Sequence, residues 1–211
     1  SHPFIQSWSP AQGRILDLVA LRLLARLAPV CSEQFREASG AQVLLLYVRK
    51  HSDMLTVQQA DADGDGVADA LEDGDADAER VELALCVLRE TLVVLDSAGL
   101  LGEMGAVKDL TSIAQAFDPE AAAKPLAATA KGLLPTPLSS LEVVFTLLAG
   151  LCRGNPANQK QFRRLGGVSL VLSWLRFPLD DDVTKPQVVV GAVMLLWEAV
   201  VGNAKNEARF V

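Results

Sequence analysis

Apolar residues recur along most of the chain with the spacing of an amphipathic helix. Near the N-terminus they fall three or four residues apart and therefore share one helix face: Leu16, Val19, Ala20, Leu23, Leu24 and Leu27. The alternation expected of a β-strand is almost absent. The β-branched run Val188–Val190 follows Pro186, which favours a helix that begins after the proline. The pattern predicts an all-α protein.

The apolar pattern also repeats in units. The segments Leu24–Val48 and Leu148–Leu175 both contain an apolar helix end, a polar break, the letters Q-F-R, a glycine and a second apolar run. A weaker third copy places Gly105 where the glycine stands, and a fourth copy stops after Phe210. The phenylalanine precedes the glycine by five residues in the two clear copies, at Phe35 and Gly40 and at Phe162 and Gly167. Self-similarity of this kind is typical of helical-repeat proteins.

Each unit is predicted to contain a long helix, a short helix and a third helix. Asn155 is expected to cap a short helix, with Pro156 at its first position. Gly40 and Gly167 are expected at the corner before the third helix, where a left-handed backbone is needed. The packing between units is expected to bury two tryptophans and six leucines: Trp174, Trp197, Leu148, Leu151, Leu170, Leu172, Leu195 and Leu196.

The run "GLCRGNPANQKQFRRLGGVSLVLSWL" and the later join "AVVGNAKNEARFV" resemble the armadillo repeat. The resemblance implies an all-α, right-handed solenoid of about four units over residues 14–211, after a lead-in at residues 1–13. The spacing of the units leaves two insertions, an acidic one at about residues 58–80 and an Ala- and Pro-rich one at residues 117–137. The last unit stops within its short helix, so the continuation of the chain beyond Val211 is an expected partner.

The net charge of −7 belongs to one insertion, because seven Asp and two Glu lie between Asp61 and Glu79 with no basic residue among them. The rest of the chain is about neutral and has no basic stripe, which argues against nucleic-acid binding. The most apolar run, Val188–Val201, is too short to span a membrane. The three cysteines have no metal or redox spacing, and Cys86 and Cys152, which lie in apolar helical runs, are expected to be core residues in a reducing compartment. The expected location is cytoplasmic or cytoskeletal.

The acidic insertion contains a complete match to the calcium-loop pattern: Asp61, Asp63, Asp65, Gly66, Asp69 and Glu72. A functional calcium loop also needs an apolar residue at its eighth position, a helix on each side and usually a second loop. Here the eighth position is Ala68, the following residues remain acidic and no second loop exists. We therefore predict a mobile acidic loop over Ala60–Glu79 that binds no calcium at cytosolic concentrations. A calcium-responsive adaptor remains the alternative.

No set of residues predicts catalysis, a cofactor or a metal site, and we expect the chain not to be an enzyme. His2 and His51 have no ligand or triad partner at suitable spacing, and exposed loop positions are expected for both. Ser139 and Ser140 precede an apolar run and predict the start of a helix rather than a nucleophile. The glycines Gly64 and Gly66 lack the strand and helix that a phosphate-binding loop requires.

Armadillo proteins that clamp extended peptides carry an asparagine on the third helix of each unit. The resemblance places Gly150 at that position in one unit and three charged residues in the others, which makes these the candidate protein-binding residues: Arg26, Glu90 and Glu198. None is asparagine, so binding of folded proteins across the surface is expected instead.

A softer resemblance links the join Trp-Glu-Ala-Val-Val-Gly-Asn, with its long insertions, to armadillo-like cilia- and flagella-associated proteins of the axonemal central apparatus. That resemblance implies a structural scaffold in a cilium or flagellum, with other axonemal proteins as partners. A regulated adaptor, either calcium-responsive through the Asp61–Glu72 loop or cargo-binding, is the alternative.

Overall fold

The computed structural model describes residues 9–52, 55, 68–94, 96–117, 137–176 and 185–208. Over these ranges the chain forms eleven α-helices and no β-strand, which confirms the all-α prediction. The helices are α1 Pro10–Leu27, α2 Ser32–Glu37, α3 Gly40–His51, α4 Ala68–Val94, α5 Ala98–Glu103, α6 Ala106–Ala116, α7 Pro137–Cys152, α8 Pro156–Arg164, α9 Gly167–Arg176, α10 Lys185–Val200 and α11 Ala204–Glu207.

The helices follow one another in a regular order of lengths. A long helix, a short helix and a third helix occur three times in succession, and the long α10 and the short α11 follow. Each long helix contacts the next one, α1 with α4, α4 with α7 and α7 with α10. The third helix of each group packs against the long helix that follows it, as α3 does against α4. The core therefore lies along a row of four long helices.

The buried side chains agree with most of the predicted core. Trp174 is buried, and its ring meets Phe145 edge-on with the ring centroids 6.4 Å apart. Trp197 was expected between helices, but 66% of it is exposed, so this prediction is wrong. Of the six leucines, Leu170 and Leu172 are partly buried and four are buried: Leu148, Leu151, Leu195 and Leu196.

The corner before each third helix is left-handed, but not at the predicted glycines. The positive φ angles occur at Ser39 (55°), Gly105 (90°) and Gly166 (78°), each one residue before the third helix begins. Gly40 and Gly167 are instead the first residues of α3 and α9. Gly105 is thus the counterpart of Ser39 and Gly166, and the sequence comparison that paired it with Gly40 was out of register by one.

Close packing explains the glycines at those first positions. A Cβ at Gly167 would lie closer than 3.0 Å to three ring carbons of Phe162, and Gly40 has the same relation to Phe35. In the middle group the residue five places before Ala106 is Leu101, which is buried and lacks a ring. In this group the short helix carries a leucine where the others carry a phenylalanine. The third helix then begins with an alanine where the others begin with a glycine.

Several predicted boundaries change. The lead-in was expected to extend to residue 13, but α1 begins at Pro10, after Ser9 and Gln12 form a reciprocal capping box. The acidic insertion was expected to be a loop to about residue 80, yet its second half is the first part of α4. A helix start was expected at Ser139 or Ser140, and α7 begins at Pro137, so Ser140 lies in its first turn rather than at the cap. Its hydroxyl donates a hydrogen bond to Glu82 on α4 at 3.0 Å. Residues 60–67 and most of the second insertion lie outside the described residues.

Candidate protein-interaction surfaces

The outer side of α10 carries an uncovered apolar surface. Its members recur three, four and seven residues apart, and we call them the α10 face: Val190, Val193, Met194, Trp197 and Val201. The opposite side of the helix is buried through Ala192, Leu195 and Ala199. Single exposed apolar residues are ordinary, but a continuous apolar helix face marks an interaction site.

A second uncovered apolar surface lies on α1. It consists of residues that are between 42% and 62% exposed, and we call it the α1 face: Ile15, Leu16, Val19, Leu23 and Leu27. The N-terminal half of this face borders a groove of about 280 Å³ lined by Gln12, Ile15, Leu16 and Val19. The inner side of α1 packs against α4, where Arg22 pairs with Glu79 and Arg80 with Asp17.

Two close contacts fix the orientation of α10 on α7. Near the middle of both helices, a Cβ at Gly191 would lie 3.3 Å from the Cβ of Phe145, so the backbones approach closely there. Near the C-terminal end, the guanidinium of Arg153 meets the carboxylate of Glu198 at 3.0 Å. The middle of α10 contacts the middle of α7 and the C-terminal ends are neighbours, so the two helices run in nearly the same direction.

A constant offset relates α7–α8 to α10–α11. Asn155 caps α8, and Asn203, 48 residues later, caps α11 with the same extended backbone. Three residues after each cap lies a second asparagine, Asn158 in α8 and Asn206 in α11, and both are buried. The caps confirm the predicted role of Asn155 and Pro156. They also allow residues of the two long helices to be compared position by position.

The offset assigns the α10 face to a particular side of a long helix. Gly191 of α10 approaches Phe145 and Thr146 of α7, and Phe145 is fully buried there. The residues 48 positions later are Val193 and Met194, which belong to the α10 face and are exposed. The side of α7 that is covered by the next long helix is thus the side of α10 that is uncovered.

Buried amides bind the carbonyl ends of the long helices. The Nδ2 of Asn158 donates to the carbonyl oxygens of Leu151 at 2.7 Å and Ala98 at 3.0 Å. The Nδ2 of Asn206 donates to the carbonyl of Ala199 at 2.6 Å. Gln159 donates to the carbonyl of Glu198 at 2.8 Å. Leu151, Glu198 and Ala199 lie in the last turns of α7 and α10, where carbonyls have no partner within the helix, so these side chains satisfy groups that burial would otherwise penalise. Ala98 is instead the first residue of α5, so that bond links two helix groups.

Sequence analysis missed these amides, although a signal existed. The joins "NPANQ" and "NAKNE" both place a second asparagine three residues after the cap. A helix interior disfavours asparagine, so its recurrence at one position indicates a specific hydrogen bond.

The structure does not bring the three predicted binding residues together. Arg26 is exposed on α1, Glu90 is exposed on α4 beside Arg89, and Glu198 faces Arg153 between α7 and α10. Gly150 faces α4, where a Cβ would lie 2.5 Å from the Cδ2 of Leu92. Glu198 and Gly150 therefore occupy contacts between long helices.

Little in the described residues suggests catalysis. Burial raises the pKa of the Cys86 thiol to about 11 and that of Cys152 to about 12, so neither is a thiolate near neutral pH. His51 was expected in a loop, but it is the last residue of α3. Its ring packs against that of Tyr47, with the ring centroids 4.6 Å apart. The described residues contain no group of three or more His, Cys, Asp or Glu arranged to hold a metal ion.

No helix in the described ranges is long and apolar enough to cross a membrane.

A scan against protein-family models found no match, and a search of curated proteins found none either.

Proposed function

We propose that this chain is a right-handed, armadillo-like helical-repeat scaffold that binds other proteins and catalyses no reaction. The order of long, short and third helices supports the proposal, as does the row of long helices that pack along one another. In such a scaffold each helix group contacts its neighbours, and the uncovered faces remain for partners. The buried amides and the close glycine contacts hold the groups in fixed positions, which suits a structural role.

The α10 face is the observation on which the binding function rests. Trp197 projects from this face with 66% of its surface exposed. Tryptophan is enriched among the residues that dominate protein–protein binding, because one side chain buries a large apolar area. The apolar neighbours Val193 and Met194 extend the surface along the helix.

The resemblance of the Trp197 join to cilia- and flagella-associated proteins leads us to propose an axonemal assembly as the location. A photo-reactive amino acid placed at residue 197, in ciliated cells, would test both the binding and the location. We expect crosslinks to other proteins, axonemal ones among them, since this side chain lies on the proposed binding surface. The matched control is the same amino acid at Ser169, an exposed position on α9. Equal crosslinking at the two positions would contradict the proposal.

One observation favours the regulated adaptor as the second candidate. The prediction that the acidic segment binds no calcium assumed that no helix follows the calcium-loop pattern. In the structure α4 begins at Ala68, inside that pattern. A ligand bound there would act at the start of a helix that contacts both α1 and α7.

We still expect no calcium site tighter than ~10 μM, the weak end of the sensor range. The eighth position remains Ala68, and the sequence has no second loop. Titration calorimetry of the full chain is the measurement. A stoichiometric site that disappears in the Glu72→Gln variant, which removes the last ligand of the pattern, would favour the adaptor.

A further inference from the structure

We infer that one side of the short helix α8 binds an acidic segment of another protein. This side carries Lys160, Arg163 and Arg164, and we call it the α8 basic face. The inference rests on the proposed scaffold function and deepens it, because it adds a second binding surface and states the chemistry of its partner. Its evidence begins with a difference in charge between two copies of one sequence motif.

The motif around Q-F-R has opposite net charge in α2 and α8. α2 reads S-E-Q-F-R-E, whereas α8 ends with Q-K-Q-F-R-R, and the phenylalanine is buried in both. In α2, Arg36 forms an ion pair with Glu33, three residues before it. In α8, the residue three places before Arg163 is Lys160, and Arg164 also stands where α2 has an acid. The positions that balance the arginine in α2 therefore add further positive charge in α8.

The three cations of the α8 basic face have no carboxylate partner. Arg163 and Arg164 follow Lys160 by three and four residues, so all three share one side of the helix. None of them forms an ion pair within the described ranges. Elsewhere in the part of the chain that the structure describes, six arginines do pair with a carboxylate: Arg22, Arg36, Arg49, Arg80, Arg89 and Arg153.

Arg163 also has a nitrogen that burial has removed from water. Its Nε is buried and donates to no acceptor among the described residues, although the residue as a whole is half-buried. A buried donor without an acceptor is unfavourable. Cations favour the last turn of a helix, which accounts in part for Arg163 and Arg164, but Lys160 lies one turn earlier. The guanidinium of Arg163 is therefore a partly dehydrated cation that still lacks a counter-ion.

The dimensions of the α8 basic face suit an extended acidic segment. Lys160 and Arg164 are one helical turn apart, which is about 6 Å along the helix axis. Every second side chain of an extended chain points to the same side, and such side chains are roughly 6.6–6.8 Å apart. Alternate carboxylates can therefore meet Lys160 and Arg164 together. A guanidinium binds a carboxylate through two parallel hydrogen bonds, which favours carboxylates as the partner of the two arginines.

The α8 basic face is too small for the other common polyanions. A nucleic-acid interface commonly makes about 6–10 phosphate contacts along a basic stripe, and this face has three cations. Recognition of an anionic membrane commonly uses about 4–8 clustered cations. An interfacial helix also inserts an apolar side, whereas Phe162 of α8 is fully buried in the protein. An acidic protein segment remains the partner that fits the number and spacing of the charges.

Lys160→Glu with Arg164→Glu tests the inference in the full chain. It turns Q-K-Q-F-R-R into Q-E-Q-F-R-E, and both side chains are exposed. The fold should tolerate the change, because α2 is a helix with this pattern. The probe is fluorescently labelled deca-glutamate, and fluorescence anisotropy measures its binding at low salt. We expect the unmodified chain to bind saturably, and the variant to bind at least about tenfold more weakly. Binding should also weaken as the NaCl concentration rises to about 0.15 M.

The matched control is Lys50→Glu with Lys108→Glu, which changes the net charge equally at exposed positions on α3 and α6. It should bind deca-glutamate like the unmodified chain. Circular dichroism checks that each variant folds, and glutamine replaces glutamate at any site where helix content falls. An equal loss of binding in the control overturns the inference, because attraction then depends on net charge alone. Absence of saturable binding by the unmodified chain at low salt overturns it as well.

The same assay with a ten-nucleotide oligothymidylate and with phosphatidylserine vesicles distinguishes the classes of anion. Tighter binding of either one than of deca-glutamate overturns the inference. So does self-association of the unmodified chain that the α8 variant abolishes, because the acids between Asp61 and Glu79 of a second copy would then be the partner. Failure of these tests while residue 197 still crosslinks to other proteins would leave the proposed function standing, since Trp197 lies on α10.

Discussion

Replacing Asn158 with alanine is expected to lower the free energy of unfolding by about 1–3 kcal/mol, because the buried carbonyl of Leu151 loses its donor. The side chain is only 4% exposed, and its Nδ2 serves the carbonyls of Leu151 and Ala98. These belong to two different helix groups, so the same substitution also removes a link between α5 and α7. Denaturant unfolding followed by circular dichroism measures the effect.

Gln115→Ala is the matched control. Gln115 also donates from a side-chain amide to a carbonyl of another group, Leu165, at 3.0 Å, but it is exposed. Water can replace that donor, so we expect a loss well below the Asn158 value, at most about 0.5–1.5 kcal/mol. Equal losses at the two positions would mean that burial of the carbonyls is not what makes Asn158 important.

Gly167→Ala is expected to destabilise the protein by about 1–3 kcal/mol, although alanine is ordinarily favoured over glycine in a helix. The reason is the ring of Phe162, which leaves no room for a Cβ at the start of α9. Thermal and denaturant unfolding of the single variant give the magnitude. Gly13→Ala is the control with the opposite expected sign. Gly13 lies in α1, and nothing lies within 4 Å of a Cβ placed there. We therefore expect this substitution to stabilise the protein by about 0.5–1 kcal/mol.

The natural pair Leu101 and Ala106 suggests a rescue of that variant. Phe162→Leu combined with Gly167→Ala reproduces the pair, and the smaller side chain should make room for the added methyl. We expect the double variant to lose less stability than the two single variants lose together. The difference, which is the coupling energy, should be about 1 kcal/mol or more. Strict additivity would contradict the steric explanation.

Features that depend on neighbouring residues in the sequence were predictable. Asn155 and Pro156 begin α8 because the cap and the proline act within one helical turn. The helix after Pro186 was also predicted, to within two residues, since α10 begins at Lys185. The apolar spacing likewise indicated which leucines face the core, and four of the six are buried.

Features that depend on contacts between distant residues were not predictable. Gly167 looked like a corner glycine, because the sequence does not reveal that a ring lies against it. The acidic start of α4 looked like a loop, since poor local propensity conceals a helix whose later turns pack against α1 and α7.

The uncovered apolar surfaces could not be predicted from the sequence for the same reason. The apolar residues of α7 and α10 recur with similar spacing. The sequence therefore shows two similar helices, but it does not show which side of either helix lacks a neighbour. Trp197 was assigned to the core for this reason. The difference between Phe145, which is fully buried, and Val193, which is exposed, exists only in three dimensions.

The nearly parallel course of α7 and α10 has an electrostatic consequence. Helix dipoles that lie side by side in one direction repel each other, and their carbonyl ends gather partial negative charge along one edge of the molecule. The amide groups of Asn158, Gln159 and Asn206 donate to carbonyls at that edge. They place partial positive charge between the aligned ends without introducing a full charge. These uncharged donors offset part of the negative charge at the edge, and their contribution to stability should change little with pH.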